Sequence, residues 1–456
     1  MESLLASYIA IYSLSILVPS IKVDGYVLDF PSNVCRVYYL NGFRVLVAVI
    51  LIYAYGVTRG SIRGDLFFTN YSKSALAACV FGFLVSIICY IVGRKLRNDG
   101  EIDKRDCCPT IISLKGSTSS VTNSVVTNLS VTTKGRRSST STKGGGGGGG
   151  GERNSSQSSP KSLLKSSLVL EKSVVGIEEF EKRSELEHFY CGLGNFNPTW
   201  PGNIDAKMWL YVVGAVQLEL NILSSVAAHI YGRLSPSISD GIQLGNGYSI
   251  GYGMFTYAIL LTFFVVDYMI MEHVHLQTYD LFRERIGLKL IWGCMFFYPF
   301  FYAIGGISLA SNPRNDISLS LALFCVILFF IGWTLTRGAN LQKSACKASQ
   351  EKFIWCGRNI NMSTVQGSNG RILNKGFWGL SRHVNYLGEI LQALSLALPG
   401  YFATGSFIPF LYPLYYIALF IPRQIDDDAI CSKKYGEKIW SEYIKTVPYR
   451  IIPYIY

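Results

Sequence analysis

Four short runs in the last third of this 456-residue chain carry the side chains best suited to chemistry. They are R-G-A-N-L-Q-K at Arg337–Lys343, G-F-W-G-L-S-R-H-V-N-Y-L-G-E at Gly376–Glu389, R-Q-I-D-D-D at Arg423–Asp428 and C-S-K-K-Y-G at Cys431–Gly436. Lys343, Lys347, Arg382, Lys433 and Lys434 supply cations, interleaved with the rings of Trp378, Tyr386 and Tyr435. Cations meet phosphates and rings stack on bases, so this set suits an anionic, aromatic dinucleotide. It also suits a plain set of solvated loops at a membrane edge, with cations on the cytoplasmic face and aromatics at the interface. No G-x-G-x-x-G follows a strand-like run, so a Rossmann cradle is not indicated.

Ionisable groups in apolar stretches form a second class of candidates, because inserting one into a bilayer costs about 2.5 to 3.5 kcal/mol. Gln217, Glu219 and Asn221 alternate within one apolar block and do not all share a helical face. Either a function or polar pairing between helices accounts for them. Asp267, Glu272, His273, His275 and Asp280 gather at or just after the end of the next block. On a helix Asp267, Met271 and His275 fall at i, i+4 and i+8, with Glu272 and Asp280 offset by one. His273-x-His275 lacks the further ligand a zinc site needs, so no metal is expected. A carboxyl in an apolar pocket keeps its proton near neutrality, which makes Glu272, Asp267 and Asp280 candidates for a catalytic acid. Acids solvated at the membrane edge are the plain alternative.

The elements that must position these residues are membrane helices. Hydrophobic residues make up 49% of the chain, aromatics 14% and charged residues 16%, with a mean hydropathy of +0.27; one soluble core does not need that much apolar material. It is concentrated in blocks at Leu4–Pro19, Tyr38–Val57, Ala75–Gly93, Met208–Ile230, Ile250–Met271, Gly287–Ala310 and Ile317–Leu335. A bilayer about 30 Å thick selects helices of about 20 such residues. A further apolar run, Tyr386–Pro422, is interrupted by Pro399, Gly400 and Gly405 and predicts two short, tilted or re-entrant helices, the first of only about 14 residues. The expected architecture is all-α, a multi-pass transmembrane bundle of about nine or ten helices.

The first block follows no basic residue and precedes no A-x-A-like site, so it reads as a membrane helix rather than a removable signal. Many of the cations behind the net charge of +12 lie between apolar blocks, which fits retention on cytoplasmic loops; no nucleic-acid partner is expected. The eleven cysteines form no CxxC pair, so neither a zinc site nor a disulfide framework follows. From Arg94 to Lys182 Ser and Thr dominate, and eight glycines run from Gly144 to Gly151. Such a stretch buries too little apolar surface to offset its ordering entropy. It predicts a disordered cytoplasmic linker over 94–184, between a three-helix membrane part at 1–93 and a main body at 185–456 that holds any chemistry. The sequons at Asn128 and Asn154 would then go unused.

Taken in order, RGAN-Q-K, G-W-G-RH-NY-G, R-DD-C-KYG and VPYRIIPYIY resemble the sterol C14 reductase, lamin B receptor and 7-dehydrocholesterol reductase family, from about Glu185 onward. MEHVHLQTYD and YPFFY resemble it more loosely. The resemblance implies an NADPH-dependent sterol reductase of the endoplasmic reticulum membrane, continuous with the nuclear envelope, whose partners are a sterol and membrane lipid. The cofactor contacts it implies are Lys343 and Lys347, then Leu373 and Trp378, then Asn385 with Tyr386. Asp427, the stretch Cys431, Ser432, Lys433, Lys434 and Tyr435, and lastly Tyr443 complete them. The family usually has Arg where Lys347 stands and a basic residue where Asp426 stands, and this chain has one more residue between Tyr435 and Tyr443. Those departures bear on NADPH affinity.

RHVNYLGE, LALPG and the ending PYIY resemble C14 reductases more than the C7 or C24 enzymes, which implies reduction of a C14–C15 olefin. Protonation at C15 leaves a tertiary cation at C14 for hydride to quench, so an acid and a buried hydride donor are both required. Isoprenylcysteine carboxyl methyltransferases share an RH-x-x-Y-x-G turn, a later acidic pair and a VP ending, but not RGAN-Q-K or the upstream helices. A nuclear-membrane scaffold is the non-enzymatic alternative, and no basic or chromatin-reading domain precedes the first helix here.

Overall fold

The computed structural model describes residues 2–29, 34–99, 184–193, 197–234, 240–276, 285–348, 350–367 and 370–456. Residues 100–183 of the expected linker, and the candidate acid Asp280, lie outside them. The elements below belong to the compact unit formed by Met1–Lys104 and Arg183–Tyr456.

Among the described residues ten helices of at least ten residues carry that unit: α1 (Glu2–Leu17), α2 (Gly42–Thr58), α3 (Tyr71–Asn98), α4 (Ala206–Gly232), α5 (Tyr252–Ile270), α6 (Leu288–Ser311), α7 (Leu319–Lys347), α8 (Val384–Thr404), α9 (Leu411–Tyr435) and α10 (Glu437–Thr446). Five of them, α3 to α7, are long and apolar enough to cross a membrane. Leu76, Leu84, Ile88 and Ile91 on α3 and Leu323, Phe324, Ile327 and Ile331 on α7 point outward, as a lipid-facing surface requires. α4 is the central helix, buried on nearly every face. The protein is a multi-pass membrane protein.

Two expectations are corrected. The block beginning at Tyr38 is not all helix: Val34–Leu40 is a β-strand paired antiparallel with Ile21–Asp29, and α2 starts at Gly42. The β-branched and aromatic run there favours a strand, and Arg36 on it pairs with Asp205 at 3.0 Å. Nor does the later apolar run break at Pro399. α8 continues for 21 residues and stops at Gly405, whose φ of +70° only glycine adopts freely. At about 1.5 Å per residue it is long enough to span. Packing outweighs the hydrogen bond that Pro399 forfeits, since Gly400 lies against Pro409 and the Gly305 carbonyl.

Polar groups inside the bundle are paired across helices. Ser7 on α1 donates to Gln217 at 2.7 Å, Gln217 to Asn221 at 3.2 Å, and Asn221 to the Pro299 carbonyl at 2.9 Å. Pro299 sits in a π-helical stretch of α6, Gly293–Phe301. It brings no N–H to the ladder, and in the same stretch the Met295 carbonyl accepts from the Tyr8 hydroxyl at 3.2 Å. Glu219 points the other way, toward Thr262 of α5. Helices alternate in direction, so the ends of α5, α7 and α9 and the starts of α4 and α8 share one end of the bundle. The RGAN, GFWG, RH-NY and DDD runs meet there.

Candidate active site

The Gln of R-G-A-N-L-Q-K organises this end. Gln342 is fully buried, donates to the carbonyls of Asn361 at 2.9 Å and Lys375 at 3.1 Å, and accepts from the Phe377 backbone at 3.1 Å. It thereby fixes the G-F-W-G turn against α7. The Trp378 indole donates to the Ala339 carbonyl at 2.8 Å, and the Lys343 ammonium stands 5.2 Å from its ring centre. Two sequence-predicted residues are thus in direct cation–π contact.

α7 and α8 approach closely because both carry glycine: a Cβ on Gly388 would collide with Thr336 and the Gly332 carbonyl. Thr336 donates to the Asn385 carbonyl at 3.1 Å, while the buried Asn385 Oδ1 has no partner. Beside it, Tyr386 donates to Asp427 of α9 at 2.7 Å and stacks between His383 and Phe420, at centroid distances of 5.2 and 4.4 Å. Lys347 and Lys343 share one electrostatic neighbourhood with Lys434. Burial pushes the Cys431 thiol up to about 11 against the opposing pull of Lys343 and Lys434. Cys431 and Tyr435 pack with Ile372, Trp440 and Tyr443 in a small core, beside the buried Leu373. Ser432 accepts the Gly436 N–H at 3.0 Å that ends α9, and Lys433 is exposed.

The VPYRIIPYIY segment clamps the RH turn. Arg382 and His383 donate their backbone N–H groups to Tyr449 and Arg450 at 2.9 and 2.8 Å, and Ser381 donates to Ile451 at 2.8 Å. The Arg382 guanidinium adds bonds to the carbonyls of Val447 and Pro448 and to Asp428, at 3.1, 3.0 and 3.4 Å. Burial opposes ionisation of Asp428, but His383, Arg382 and Arg450 outweigh it and hold the carboxyl below its usual range.

Of the expected acids, Asp267 and Glu272 fall among the described residues. Asp267 is the counter-ion of Arg337, which grips it through both Nε and a terminal nitrogen. Glu272 accepts the Gly42 N–H with both oxygens, at 3.2 and 3.0 Å, at the start of α2. Burial pushes its carboxyl up to about 7, as a proton donor requires, and a cavity of about 50 Å³ adjoins it. Both carboxylates are engaged in holding helices together. His275 packs against Tyr268 with ring centres 3.7 Å apart.

Deeper in the bundle the two tyrosines of YPFFY, Tyr298 and Tyr302 on α6, meet a pair that no sequence motif marked, Tyr412 and Tyr416 on α9. Tyr302 stacks on Tyr412 at 4.1 Å and meets Tyr416 at 5.4 Å and Tyr298 at 5.0 Å. Both pairs are spaced i, i+4 inside apolar segments, a polar stripe on one helical face that was there to be seen.

Residues 187–456 match the ergosterol biosynthesis ERG4/ERG24 family, more than half of the chain. The chain belongs to this family. Among curated relatives, the delta(14)-sterol reductase of Arabidopsis thaliana is 35% identical over 49% of this chain and 56% of its own length. That of Methylotuvimicrobium alcaliphilum is 37% identical over 43% and 44%. A probable 7-dehydrocholesterol reductase of Acanthamoeba polyphaga mimivirus is 34% identical over 46% and 45%. The chain therefore spans about half the length of the curated relatives it matches. Within this ERG4/ERG24 member the α7–α9 end fits a dinucleotide on its own chemistry. Several cations and flat rings face one neighbourhood, and Asn385 Oδ1 is a buried acceptor still wanting a donor.

Proposed function

We propose that this ERG4/ERG24 family member reduces a ring double bond in a sterol biosynthesis intermediate, the C14–C15 olefin, with NADPH in the endoplasmic reticulum membrane. The observation that carries this reading is the convergence of Lys343 with Trp378, Tyr386 with Asp427, and the unpartnered Asn385 Oδ1 at one end of the bundle. Two of the relatives named above are delta(14)-sterol reductases.

NADPH, when bound, supplies the hydride. Lys343, Lys347, Lys433 and Lys434 would meet its phosphates, and Trp378 and Tyr435 would stack on its rings. Asn385 would accept an N–H donor at its free oxygen, with Tyr386 fixed beside it by Asp427. Leu373, Cys431, Ser432 and Tyr443 would complete the contacts. A C7 olefin is the second reading, favoured by the similarity to the mimivirus relative.

The test is incubation of purified protein with NADPH and, separately, C14-, C7- and C24-unsaturated sterols. Saturation of the C14 olefin is expected, with NADPH binding seen by calorimetry. Turnover of the C7 olefin alone overturns the choice of bond. No saturation and no NADPH binding sinks the reductase reading.

A further inference from the structure

Glu219 is the one polar residue of the Gln217–Asn221 run that the ladder to Pro299 does not use. Its side chain is 1% exposed in the middle of the central helix. One carboxylate oxygen accepts from Thr262 at 2.9 Å, and the other has no partner. Among the described residues no Lys, Arg or His bonds to it. Facing α4 from the π-helical stretch of α6 is Tyr298, whose hydroxyl is also buried without a partner. Its ring lies against Gly214, a little over one turn before Glu219, where a Cβ would come within 2.6 Å of it. The Cys294 thiol and the carboxyls of Glu389 and Glu219 are within electrostatic reach of the hydroxyl.

Leaving a buried polar group unpaired costs about 1–3 kcal/mol. Two such groups, one an acid and one a phenol, share an interface formed by a π-helix, an irregularity frequent at functional sites. Rings connect them to the cofactor end. Tyr298 meets Tyr302 at 5.0 Å, Tyr302 meets Tyr416 at 5.4 Å, Tyr416 meets Phe420 at 5.0 Å, and Phe420 meets Tyr386 at 4.4 Å.

We propose that Tyr298 is the catalytic residue that hands a proton to the sterol and that Glu219 replaces it, an inference that rests on the reductase reading. The Tyr298 O–H bond breaks as the olefin's π electrons form a new C–H bond at one ring carbon. The neighbouring carbon, left cationic, would take the hydride, with its electron pair, that a reduced nicotinamide dinucleotide supplies when bound. The Tyr298 oxygen then takes a proton from the Glu219 carboxyl through one bridging water, and that carboxylate regains one from water, leaving hydroxide. Atoms and charge balance over the cycle.

The experiment compares the parent protein with Glu219→Gln and Tyr298→Phe, each checked by thermal melting in detergent. Turnover of the C14 olefin is expected to fall about 100-fold or more in both, the range for losing a positioned acid, with NADPH affinity unchanged. A second readout needs no turnover: binding of a sterol analogue carrying a ring ammonium in place of the cationic carbon. Glu219→Gln removes the nearby carboxylate, so affinity for that analogue is expected to drop about 10-fold while a neutral sterol binds as before. That measurement stands even where Tyr298→Phe fails to fold. An active parent whose variants turn over within about threefold of it, with the analogue bound equally by Glu219→Gln, overturns the pair. A parent that reduces no sterol sinks the reductase reading beneath it instead.

Discussion

Tyr386 donates its hydroxyl to Asp427 at 2.7 Å, tying the first turn of α8 to the far part of α9. This bond holds the Tyr386 ring in its stack on Phe420, where the two planes differ by only 2°. Tyr386→Phe and Asp427→Asn are each expected to weaken NADPH binding about tenfold, and the double variant no further than the worse single one, because both remove the same bond. Calorimetric titration of the four proteins checks this, and full additivity would show that the residues act separately.

Lys347 stands where the family usually carries Arg. A guanidinium can grip a phosphate through two parallel hydrogen bonds, which an ammonium cannot. Lys347→Arg is therefore expected to tighten NADPH binding severalfold, and Lys343→Ala to weaken it about tenfold or more with a shallower salt dependence. Titrations at two ionic strengths separate the charge effect from loss of the Lys343–Trp378 contact.

Asp428 holds the RH turn and, through Arg450, the C-terminal segment. Its carboxyl is held below the usual range in the folded protein, so the folded state favours the anion. The stabilisation is present above the ordinary Asp range and is lost as pH falls through the folded value. Melting temperature in detergent is expected to fall on acidification from about pH 5 to pH 3, and Asp428→Asn to be less stable at pH 7 with a flatter acid limb. An unchanged limb would remove Asp428 from that role.

The long helices could be read from the sequence because bilayer thickness imposes a length that composition reports directly. The lysines and rings at the α7–α9 end could be picked out because they sit in short, dense runs. Pairings across the fold could not. Asp267 finds Arg337 70 positions away and Glu272 finds Gly42 230 positions away, and no local spacing announces either. Both partners come from elements far apart in the chain. The continuity of α8 through Pro399 was hidden for a similar reason, since the packing that sustains it comes from α6 and Pro409. The alternation of Gln217, Glu219 and Asn221 was informative: two of them pair toward Pro299 and the third faces α5, as a helix demands.

Glu272 offers a test in the opposite sense to Asp428. Its carboxyl is pushed up to about 7 because burial penalises the anion, and the Gly42 N–H only partly offsets that. The unfolded chain ionises near the usual Glu value of about 4.3, so between the two values the folded state binds the extra proton. Stability must then decline as pH rises from about 5 to about 7 and level off above the folded value. Glu272→Gln keeps the shape and removes the titration, so its melting temperature is expected to be flatter across that window and to equal or exceed the parent's at pH 8. At the same pH, loss of the carboxylate at the start of α2 subtracts about 0.3–1 kcal/mol, less than the gain from avoiding a buried anion. A parent whose stability rises from pH 5 to pH 7, or a variant with an undiminished slope, would show that Glu272 is ionised in the fold and that another group governs this end of α2.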